Sequence, residues 1–178
     1  RFKLDALILN WLLGNAATFG LLPPNALPVA SSPVAPLFPS WFKLAKWLHF
    51  KELYPEPEGS SLRGVFDLAG AQATPIAAIK AIIANLTQWD TTEVDELVTA
   101  LSLQHGGDSS SFTDVENYLR MDKCRRMAKR LGVPPAKARD WANRDADAIQ
   151  GLTAQESRQA AKSKYDDVVW LQKVTPLE

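Results

Sequence analysis

Phe112–Trp141, FTDVENYLRMDKCRRMAKRLGVPPAKARDW, is the stretch whose reading decides the fold. It predicts a long amphipathic helix, an abrupt stop and a second helix at an angle. Thr113 is placed to cap the first helix, and Glu116, three residues on, to complete a capping box. Val115, Tyr118, Leu119, Met121, Cys124, Met127, Ala128 and Leu131 recur at helical spacing and predict the inward stripe. Lys123, Arg125, Arg126, Lys129 and Arg130 fall on the other face. Gly132 stands where a helix needs a left-handed residue after its end. Pro134 or Pro135 then opens the next helix at its first position. Ala138 and Trp141 are its predicted inner face.

Working outward, helical signals repeat along most of the chain. Leu4–Leu13 predicts a helix with Leu4, Leu7, Ile8, Trp11 and Leu12 inward, stopped at Gly14–Asn15. Residues 20–39 hold six of the 12 prolines yet stay apolar, which predicts an extended crossover lying on the helices. Ser40 starts a helix to about Leu53 with Trp41, Phe42, Leu44, Ala45 and Leu48 as its inward candidates, and Trp41 and Trp47 on different faces. Ser60 or Ser61 begins a helix that buries Leu62, Val65, Phe66 and Ala69. Thr74 and Pro75 open the most hydrophobic helix, with Ile76, Ile79, Ile83 and Leu86 on one side; its place is expected to be central. Asp90 and Glu93 form a second capping box, with Trp89 stapled onto Val94. The Gln104–Ser111 stretch is a polar, mobile loop by composition. Thr153 and Glu156 form a third box, opening a last helix to about Val174. No segment alternates with period two over a useful length. The predicted fold class is all-α: an orthogonal bundle of about seven or eight helices, a single domain over residues 1–178.

The bulk properties narrow the function. At 178 residues the chain is long enough to bury roughly 70% of its unfolded surface around one core. Its formal net charge of +0 gives no global field toward nucleic acid or an anionic membrane. The single cysteine, Cys124, forms no disulfide within the chain and reads as a small buried hydrophobe. The apolar run at Ala6–Leu9 is broken by Asn10, so nothing spans a bilayer, and the N-terminus lacks signal-peptide features. Opening on Arg1 and ending on Thr175-Pro176-Leu177-Glu178, the chain reads as a piece of a longer polypeptide.

No reaction centre is expected: no catalytic, cofactor-binding or metal-binding residue is assigned. Asp166 and Asp167 point to different sides of a helix, Asp145 and Asp147 sit in a charged loop, and His49 and His105 lack ligand spacing. One motif competes. Met127–Val133 followed by Ala138 and Trp141 has helix-turn-helix spacing, and a DNA reader would present Lys137 and Arg139 to the major groove. Any two helices packed across a glycine turn need the same pattern. Pro134-Pro135 also leaves a short reading helix.

Three blocks carry a family resemblance. They are Leu86-Thr87-x-Trp89 with Val94 and Leu97; Tyr118-Leu119-Arg120-Met121-x-x-Cys124 with Lys129–Val133 and Trp141-Ala142; and Lys164–Asp167 with Trp170-Leu171-Gln172 and Thr175-Pro176-Leu177. In this order they resemble the large A subunit of bacterial insecticidal toxin complexes over residues 86–178, just before the neuraminidase-like domain of that family. The resemblance implies a non-catalytic segment of a helical shell, in a secreted or surface-displayed protein that forms a pentamer, binds host cells and injects a toxic enzyme. Its partners would be other domains of the parent chain and further copies. Neither nucleic acid nor direct membrane insertion by this segment is implied. Residues 20–39 do not match the family. The alternatives are a helix-turn-helix DNA-binding protein and a helical adaptor using the face of Trp41 or Trp47.

Overall fold

A computed structural model describes residues 4–27, 37–71, 75–104, 109–142 and 151–174. Among them lie nine α-helices and no strand, an orthogonal all-α bundle as the periodicity predicts. They are α1 (Ala6–Asn15), α2 (Phe38–Leu53), α3 (Leu62–Gly70), α4 (Ile76–Thr87), α5 (Thr91–Ala100), α6 (Val115–Leu131), α7 (Pro135–Trp141), α8 (Gly151–Lys162) and α9 (Asp167–Val174). Short 3-10 turns at Pro24–Ala26 and Ser110–Thr113 complete the described elements.

α6 has the widest set of neighbours, packing on α2, α5, α7 and the Ser110–Thr113 turn; α4 sits between α3 and α5. The central position expected for α4 therefore belongs to α6. The more polar helix takes it because a single buried stripe, Val115, Tyr118, Met121 and Ala128, suffices to seat partners around it.

The core is a run of touching aromatic rings. Phe19 and Trp47 each stack on Trp11, with centroids 5.6 and 5.5 Å away. Phe66 meets Trp11, Phe19 and Trp47 edge-on and stacks on Tyr118 at 5.9 Å. Tyr118 leads to Phe50, Phe50 to Tyr54, and Tyr54 to Trp89. Ring pairs of this kind add to the burial energy of large side chains. They tie α1, α2, α3 and α6 to the α4–α5 junction.

Several ends fall where sequence put them. Ser61 caps α3, its Oγ accepting from the Gly64 amide, and Leu62, Val65, Phe66 and Ala69 are buried. Asp90 caps α5 by accepting from the Thr92 amide, and that bond holds its carboxyl below the usual range. Trp89 and Val94 are both buried in the common core. Gly132 takes φ 72°, ψ 33°, and the Val133 amide reaches back to the Ala128 carbonyl at 3.1 Å, closing α6. Pro135 opens α7.

Other expectations need correction. α1 runs two residues later than predicted, because Asp5 caps it by accepting from the Ile8 amide at 2.7 Å. Leu4 and Leu7 are exposed; Ile8, Trp11, Leu12 and Ala16 face inward. α2 starts at Phe38 with Pro39 in its first turn, so Ser40 is not the cap. Trp47, Leu48 and Phe50 are its buried residues, and Trp41 and Phe42 are exposed. The cap of α6 is Asp114, not Thr113, whose hydroxyl bonds the Ser110 carbonyl within the 3-10 turn. That turn lies partly within the stretch expected to be a mobile loop, and it buries Phe112. Met127 is exposed and Asp122 occupies the inward stripe. The last helix divides into α8 and α9. Thr153 lies inside α8, while the Asp166 carboxylate accepts from the Val169 amide at 2.8 Å and caps α9. Residues 28–36 of the crossover, Thr74, residues 105–108 of the loop and the 143–150 stretch lie outside the described residues. Of the crossover's described part, Leu21 and Leu22 are buried, and the Leu22 amide donates to the Ser40 carbonyl.

Candidate functional site

The basic face of α6 and the short α7 form the surface that sequence reasoning placed in contest. α7 is fixed there by packing on α5 and α6, with Pro135 and Ala138 buried. Its two candidate reading residues are both engaged. The Arg139 guanidinium donates to the Thr99 carbonyl at 3.1 Å and to Ser102 Oγ at 3.2 Å, strapping α7 to the end of α5. Lys137 forms an ion pair with Glu156 of α8.

The basic residues of α6 divide. Arg125 donates through Nε to Glu93 of α5 at 3.0 Å and lies over the Trp89 ring, 5.0 Å from its centroid. Lys129 approaches the other Glu93 oxygen at 3.7 Å. Glu93 thus faces α6 rather than completing a capping box with Asp90. Arg126 pairs with Asp122 one turn back, and Lys123 and Arg130 are exposed. Glu116, expected to reach back to the cap, instead pairs with Lys46 of α2.

Asp122 is the polar residue that sequence reasoning missed. It is 3% exposed, accepts from Tyr54 Oη at 2.7 Å and pairs with Arg126. Burial, then the hydrogen bond to Asp122 and its negative charge, push the Tyr54 hydroxyl well above the ordinary tyrosine range. The available signal was Arg126 at i+4, a spacing that marks Asp122 as a paired carboxylate. Tyr118 is fully enclosed and donates to the Phe112 carbonyl; burial raises its hydroxyl as well.

The remaining candidates scatter. Cys124 is half-buried, and desolvation raises its thiol, which opposes thiolate chemistry at neutral pH. Asp166 caps α9 and Asp167 pairs with Lys162 at 3.1 Å, so the two carboxylates serve different partners. His49 is exposed on α2. His105, Asp145 and Asp147 lie outside the described residues. Among the described residues no three His, Cys, Asp or Glu side chains gather as a metal site would require.

A third feature is apolar. Phe38, Trp41 and Phe42 lie on the first turns of α2, with Phe38 stacked 5.9 Å from each of the other two. They are 59%, 46% and 46% exposed. Lys46 Nζ is 4.3 Å from the Phe42 centroid.

No protein-family model, no curated protein and no solved structure matches this chain.

Proposed function

We propose that this chain is a non-catalytic scaffold segment of a large homo-oligomeric protein of the insecticidal-toxin-complex A-subunit type. The observation that supports this best is where its charged side chains go. Glu93 holds Arg125 and Lys129 across α5 and α6; Asp122 holds Tyr54 and Arg126; Arg139 straps α7 to α5; Lys137 ties α7 to α8. Side chains of the kind that could serve catalysis or a phosphate backbone act here as ties, between helices in every case except the Asp122–Arg126 pair within α6. The resembling blocks coincide with joints: buried Trp89, Val94 and Leu97 at the α4–α5 corner, Tyr118 and Gly132 at the two ends of α6, Asp166 at the α8–α9 break. An interaction-module reading draws on the exposed Trp41 alone, since Trp47 is fully enclosed.

Light scattering and electron microscopy on the protein that carries this segment test the reading. The expected result is a large homo-oligomer with the segment in its outer wall. A monomer that holds duplex DNA at nanomolar concentration, with steep loss on adding salt, would overturn it.

A further inference from the structure

We draw no further inference here: the strongest candidate, the exposed stripe of Arg120, Lys123, Met127 and Arg130 along the outer side of α6, carries none, because Arg120 donates to Asn117 within the helix and nothing in the structure shows what covers the rest.

Discussion

Asp122 is buried on α6, and the Tyr54 hydroxyl reaches it from the end of α2. A buried carboxylate is stable only when its lone pairs are matched, and Tyr54 and Arg126 do that here. Tyr54→Phe is expected to cost about 1 kcal/mol near neutral pH, measured by urea unfolding. The pH dependence follows from the raised hydroxyl. Unfolded tyrosine ionises near pH 10, whereas folded Tyr54 keeps its proton beyond that. Above about pH 10 the unfolded chain therefore binds fewer protons at this site than the folded one, and stability falls as pH rises. The wild-type advantage over Tyr54→Phe is present below pH 10 and shrinks above it. A difference that stays constant from pH 8 to 11 would show that the site is not tied in this way. The helical pattern assigned Asp122 to neither face. Periodicity averages over a helix and does not register one carboxylate on the apolar side whose partner comes from 68 residues away.

Helix ends were legible where a local bond decides them and illegible where a rival residue stands next door. Gly132, Ser61 and Asp90 were readable because each satisfies amides or carbonyls within its own turn. Thr113 and Asp114 are adjacent good caps, and the choice went to Asp114 because the preceding residues wind into a 3-10 turn that buries Phe112. α2 was misread for a different reason. Trp41 and Trp47 satisfy equally plausible stripes, and only packing against Trp11 and Phe66 selects Trp47. At Gly132 the left-handed backbone makes the residue type matter. Gly132→Ala is expected to cost about 1–2 kcal/mol from φ alone. The added methyl would also lie 2.8 Å from Lys164 Nζ, but that flexible tip can swing aside. The melting temperature checks this, and a Gly132→Ala/Lys164→Ala double variant separates the parts: backbone strain predicts that removing Lys164 restores little.

Across the whole molecule the core and the C-terminal helices differ in kind. The fold class was legible because every element between α1 and α7 has enough apolar residues to be helical on its own pattern. The placement of the elements was not, since it depends on ring contacts between residues as distant as Trp11 and Phe66. Removing the Trp47 ring should be felt through the entire aromatic run. Trp47→Ala is expected to cost about 3–5 kcal/mol, a large share of the 5–15 kcal/mol that holds a typical domain. Among the described residues, α8 and α9 contribute none to the central cluster, and α8 is tied to α7 by the partly exposed Lys137–Glu156 pair. Such pairs are worth about 1 kcal/mol or less. A chain ending at Ala142 should therefore fold, with its melting temperature lowered by only about 2–4 °C. Native-state hydrogen exchange gives the same division without truncation: α8 and α9 amides exchange early, while those of α3, α5 and α6 exchange only with global unfolding. If the shortened chain failed to fold, the C-terminal pair would have to be part of the core's stability. The closure of the bundle at α7 through Arg139 and α5 would then be insufficient to hold it.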